Sequence, residues 1–262
     1  MESMGSKPRR HRRTFTPEFK AEIMAQPDSP GTASLAARIP SISRPPLVVG
    51  VYAISAICGM LDAATFLGLG LVFVELMTGN IVLLAFSIGG HGIRQLASAI
   101  PVGLAYVAAL ACFAVGAVAG GRLVRAEETG RRLGLASDAG LIGIAAVVVA
   151  LTHPGPTGPA RYLVIGILAF AMGIQNALLR RWGIRDLATN LMTLTLTGLL
   201  ADSTLGGGNN PRALRRGLSI VTFAVGAAAG AFMTRYGTLW PILASFILFI
   251  LALPILLQPP GK

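Results

Sequence analysis

From Leu47 onward the chain alternates long apolar runs with short basic or Gly/Pro-rich breaks. Eight apolar segments stand out: Leu47–Leu67, Leu71–Gly89, Ala97–Gly121, Leu133–His153, Tyr162–Leu179, Leu187–Leu205, Gly217–Met233 and Leu239–Leu257. A helix rises ~1.5 Å per residue, so ~20 apolar residues cross a ~30 Å hydrocarbon core. Several of these runs meet that test. The stretch His153-Pro-Gly-Pro-Thr-Gly-Pro159 reads as a loop and a midpoint.

Composition strengthens this reading. Of 262 residues, 53% are hydrophobic and 13% charged, against roughly 25% charged in ordinary soluble domains. The 32 glycines suit closely packed membrane helices. The pattern predicts an all-α polytopic membrane protein whose main partner is the lipid bilayer.

Net charge is +11. In a soluble domain that would suggest nucleic acid, but here the arginines lie between apolar segments, where they specify topology. Cys58 and Cys112 both fall within predicted spans and read as space-filling thiols. No secretory signal is visible, since the apolar run beginning at Leu47 is too long for a signal core.

Residues 1–46 form a basic tail, expected to be disordered. Its Arg9-Arg10-His11-Arg12-Arg13-Thr14-Phe15-Thr16-Pro17-Glu18-Phe19-Lys20 stretch resembles the opening of insertion-sequence transposases. No recognition helix follows, because Pro40, Pro45 and Pro46 intervene. No functional nucleic-acid binding is therefore expected.

An internal duplication divides the remainder into residues 47–153 and 160–258. Phe113-Ala-Val-Gly-Ala-Val-Ala-Gly120 recurs as Phe223-Ala-Val-Gly-Ala-Ala-Ala-Gly230, identical at seven of eight positions and 110 residues on. Gly59-Met-Leu-Asp-Ala63 has a counterpart in Gly173-Ile-Gln-Asn-Ala177, and Met77-Thr-Gly79 in Leu196-Thr-Gly198. Basic residues then choose the topology. If all eight segments spanned, two arginine-rich loops would lie outside, against the positive-inside tendency. If the second and sixth segments instead re-enter, only Arg94, Arg161 and Arg235 lie outside, and the other nineteen of 22 basic residues lie inside. The expected fold is six spanning helices plus two re-entrant, broken segments, an inverted 3+3 repeat with both termini cytoplasmic. Seven or eight full spans is the alternative.

Within that frame, polar residues inside apolar runs need a reason. Thr78-Gly79-Asn80 is expected to break the second segment near its middle, and Thr193, Thr195, Thr197 and Gly198 to do likewise in the sixth. Broken backbone at membrane depth is tolerated only where protein or water satisfies it. Two half-helices meeting near the midplane would offer a solute or ion site. Asp62 and Glu75 are intramembrane carboxylates suited to a proton relay or cation site, whereas Asp202 fits a hydrated helix end. Gln175 and Asn176 stand at the duplicate of the Asp62 position and can hydrogen-bond across helices. The pairs Gly116/Gly120 and Gly226/Gly230 read as packing faces.

Histidines 11, 91 and 153 are scattered among loops, and no metal-binding, nucleotide-binding or nucleophile-elbow spacing occurs. No cofactor, no metal and no enzyme chemistry is expected.

These residues resemble a family of bacterial inner-membrane proteins of uncharacterised function, the YoaK family (domain of unknown function 1275). The similarity runs from about Pro46 to Leu257. It rests on Gly59-x-x-Asp62-Ala63, Val72-Phe73-Val74 leading into Met77-Thr78-Gly79-Asn80, Met172-Gly173-Ile174-Gln175-Asn176-Ala177, and Leu194-Thr195-Leu196-Thr197-Gly198. Asn190 stands where the family is commonly Thr-rich, and Leu76 where a polar residue is frequent. The resemblance implies a multi-pass membrane location and names no substrate. The functional expectation is a permease for a small solute or ion; the alternative is a non-transporting scaffold or accessory subunit. Oligomeric state stays open.

Overall fold

The computed structural model describes residues 45–89, 99–182, 192–210 and 212–258. The basic tail up to Arg44 and Asn190 lie outside the described residues. Eight α-helices follow in order: α1 Pro45–Gly68, α2 Met77–Ile88, α3 Ala99–Leu123, α4 Glu127–Thr152, α5 Ala160–Trp182, α6 Met192–Ala201, α7 Ala213–Thr234 and α8 Leu239–Leu256. Six of them, all but α2 and α6, are long and apolar enough to cross a membrane. The 12 residues of α2 and the 10 of α6 rise only about 18 and 15 Å, well short of a ~30 Å core.

Helix directions follow from which ends meet. Gly50 near the start of α1 touches Leu256 at the end of α8. Near the start of α4, Arg131 donates to the carbonyls of Leu256, Leu257 and Gln258 at 2.6, 2.9 and 3.1 Å. Gly134 of α4 packs on Leu178 near the end of α5, and Tyr52 donates to the Arg215 carbonyl near the start of α7 at 3.4 Å. One face therefore holds the starts of α1, α4 and α7 and the ends of α5 and α8. The end of α3 lies there too, since only a single 3-10 turn, Val124–Ala126, joins it to α4.

On the opposite face, Gly68 ending α1 meets Thr238 before α8, and Gly70 meets Arg161 starting α5. Because α3 ends on the first face, it starts on the second, where α1 ended. The chain between α1 and α3 thus enters and leaves by the second face. By the same reasoning, the chain between α5 and α7 enters and leaves by the first. The second and sixth segments are re-entrant, and α1, α3 and α4 run opposite to α5, α7 and α8 respectively.

The helix pairing is matched in the two halves. The dominant contacts are α3 with α5 and α1 with α7; α4 then packs on α5 as α8 does on α1, and α2 on α3 as α6 does on α7. Close approach needs glycine at both principal crossings. A Cβ on Gly116 would overlap the Phe170 carbonyl, and one on Gly226 the Ala56 carbonyl. Gly173 abuts the Phe113 carbonyl as Gly59 abuts that of Phe223. Such small-residue seams let backbones pack where lipid supplies no hydrophobic drive between helices.

Three boundaries differ from expectation. The non-helical part of the second segment is residues 69–76, and Thr78-Gly79-Asn80 forms the first turn of α2 instead of breaking it. In the sixth, Thr193, Thr195, Thr197 and Gly198 are all inside helix α6. The fourth helix starts at Glu127, not Leu133. Its charged first turns stay helical because Glu128 pairs with Arg131 at 2.7 Å and Arg132 at 2.9 Å, one turn on.

Candidate functional site around the first re-entrant segment

At the end of α1 the chain reverses through Gly70 (φ 101°) and Leu71 (φ 63°). It then returns alongside the helix it has just left. Val72 and Val74 are fully buried, and the Phe73 ring stacks on Phe66 with centroids 4.5 Å apart. Gly79 makes this possible, since a Cβ there would press on the Phe73 ring at 2.9 Å.

Extended backbone inside a bundle needs partners for its polar groups, and two side chains supply them. Asn80, fully buried, donates to the Phe73 carbonyl at 2.7 Å and accepts from the Phe73 N–H at 3.0 Å. Asp62 accepts the N–H groups of Val74 and Glu75, both at 2.8 Å, and of Leu76 at 3.2 Å. Leu76, the residue flanking α2, makes no side-chain cap of its own. A carboxylate borrowed from α1 therefore holds the extended run that leads into α2, on the side of the helix start, whose dipole favours negative charge.

Glu75 follows directly from that geometry. It is 1% exposed, and its carboxylate accepts from Asn176 Nδ2 of α5 at 2.7 Å. Asn176 also donates to the Met172 carbonyl at 2.8 Å. Gln175 faces Cys58 of α1, with Nε2 3.0 Å from Sγ, and its Oε1 has no hydrogen-bond partner. Asp62, Glu75, Asn80, Gln175 and Asn176 are thus gathered in the bundle centre. The counterparts Asp62 and Asn176, 114 positions apart, converge on one loop, the first gripping its backbone and the second its Glu75 side chain.

A further carboxylate, passed over in the sequence, belongs to this group. Asp138 of α4 is fully buried, and neither of its oxygens has a hydrogen-bond partner. Glu75 lies within electrostatic range of it. Its signal was the one used for Asp62, an ionisable residue inside an apolar run.

The other expected site residues lie elsewhere. Thr78 is exposed on α2; on α6, Thr195 is buried while Thr197 is exposed. Gly198 offers its carbonyl to Arg216 at 2.6 Å. Arg216 also pairs with Asp202 at 2.6 Å, at the rim. The expected meeting of the two Thr-Gly segments is not among the principal helix contacts, since α2 packs on α3 and α6 on α7. Each short helix is drawn to the glycine-rich long helix that follows it in its own half. Among the described residues, no group of three His, Cys, Asp or Glu side chains is placed to hold a metal ion.

A sequence model of the family described as Protein of unknown function (DUF1275) matches residues 50–254. The chain belongs to this family. The match takes in α1 almost whole and reaches into the last turn of α8, so the DUF1275 unit is the complete helical bundle. No curated protein and no solved structure matches the chain.

Proposed function

We propose that this DUF1275 protein is a permease for a small solute or ion, built as an inverted internal repeat in the bacterial inner membrane. The observation that carries this reading is the first re-entrant segment. It brings the buried carboxylates of Asp62 and Glu75 to the bundle centre, against Asn176 of the other half. Intramembrane carboxylates are expensive, roughly 2.5–3.5 kcal/mol each on insertion scales, and mark pathways more often than packing. The opposed helix directions and the matched glycine crossings support the repeat, a common transporter build. Arg122, Arg125, Arg131, Arg132, Arg180, Arg181, Arg212, Arg215 and Arg216 lie on the first face, and Arg161 and Arg235 on the second. The positive-inside tendency makes the first face cytoplasmic, with both termini on that side.

A scaffold role draws support from one feature: Asp62 and Asn80 are spent on holding backbone. Flux and access tests separate the readings. Single cysteines at Ile88 and Arg181, with Cys58 and Cys112 replaced by alanine, should react with an impermeant thiol reagent from the periplasmic and cytoplasmic sides respectively. Proteoliposomes challenged with a panel of small anions, amino acids and sugars should show wild-type flux that Glu75→Gln abolishes without loss of folded protein. Flux unchanged by Glu75→Gln would remove this site from the pathway, and an inert wild type would favour the scaffold.

A further inference from the structure

We propose that Asp138, a buried and unpartnered carboxyl inside the bundle, is a proton-binding site. Its role in coupling rests on the permease reading; its ability to hold a proton does not. Asp138 is 0% exposed, and both oxygens lack any hydrogen-bond partner. An ionised carboxylate in that setting would be an uncompensated buried charge, which proteins avoid.

Among the described residues, no cation is paired with it. α8 carries no ionisable residue. α5 presents Asn176, already engaged with Glu75, and its Arg180 and Arg181 stand in the last turn. α3 places Arg122 in its own last turn. On α4 itself, Arg131 is two turns away, occupied by Glu128 and by the carbonyls ending α8. α1 brings Asp62, whose oxygens accept three backbone N–H groups. Glu75, the remaining ionisable group, lies within electrostatic range of Asp138 and would repel a second negative charge there.

An unpaired buried carboxyl can be satisfied by a proton or by a metal cation. Hard cations require several oxygen ligands around them, and among the described residues no group of three His, Cys, Asp or Glu side chains is placed to hold one. A proton requires one oxygen. With a proton on Asp138, it and Glu75 together bear a single negative charge, on Glu75, where the Asn176 amide supports it. Loss of that proton would leave two like charges within range of each other, and the change in repulsion at the segment held by Asp62 is the lever a coupled transporter requires.

The test is infrared difference spectroscopy, between acidic and alkaline pH, on the full-length protein in lipid nanodiscs. The wild type should show a protonated-carboxyl band that titrates. Asp138→Asn should abolish it and lower proton release by one per chain, and Glu75→Gln should shift it. Asp138→Ser serves the same purpose should the asparagine variant not fold. No such band in the wild type, or a band unchanged by Asp138→Asn, would overturn the proposal. So would sodium at constant pH stabilising the wild type but not Asp138→Asn, because that assigns the site to a metal cation. The expected band in a protein that moves no solute leaves the proton site standing and removes the permease reading alone.

Discussion

The two re-entrant segments occupy matching places in the chain and both carry Thr-Gly, yet they are held by opposite means. The first is anchored from within: Asp62, Asn80 and Asn176, all buried, grip its backbone and its Glu75 side chain. The described part of the second lies against α7 and is anchored at the rim. There Arg216 reaches the Gly198 carbonyl and Asp202, and Asn210 reaches the Leu199 carbonyl at 3.1 Å. An anion at depth tolerates no solvent competition, whereas a cation at the rim shares its partners with water. The same topology therefore yields one firmly built segment and one lightly tethered one.

The sharpest way to break this contrast is Asp62→Ala. It leaves three backbone N–H groups without an acceptor inside the bundle, and should lower unfolding free energy by roughly 3–5 kcal/mol, since each buried donor left unpaired costs about 1–3 kcal/mol. Denaturant titration in detergent micelles reads the effect. Next, Asn80→Ala removes a two-way clamp on Phe73 and should reduce stability by about 1–3 kcal/mol, because buried groups are left unpaired. Gly116→Val and Gly226→Val should each reduce it by about 1–3 kcal/mol through overpacking. Near-equal values would show that the halves differ in their re-entrant segments and not at their crossings. The smallest effect belongs to Asp202→Ala. The Asp202 side chain is 57% exposed, and such pairs contribute under about 1 kcal/mol. A loss matching that of Asp62→Ala would end the distinction between buried and rim anchoring.

Much of the fold was legible before any coordinates. Apolar length marks the six long helices to within a few residues for most, and the pairs Gly116/Gly120 and Gly226/Gly230 signal close packing because only a missing Cβ permits it; that Gly59 and Gly173 face them across the crossings came from the structure. Arginine placement argued for re-entry of the second and sixth segments, and the meeting of helix ends agrees. The position of the break was not legible. Thr78-Gly79-Asn80 has the composition of a turn, but the non-helical run lies just ahead of it, where Asp62, 16 residues before Thr78, accepts the backbone N–H groups of residues 74–76. Arg131 likewise reads as a loop charge, and only the approach of the α8 terminus shows it capping carbonyls there. Asp138 was visible as a lone carboxylate in an apolar run, but not as a neighbour of Glu75.

By itself the sequence determined that this is a helical membrane bundle of the DUF1275 family, because apolar length and charge placement are local quantities that a bilayer reads directly. Only the tertiary structure decided which carboxylate is structural and which is left unpaired. That outcome depends on which backbone N–H groups reach Asp62 and not Asp138, a matter of distances between residues far apart in the chain.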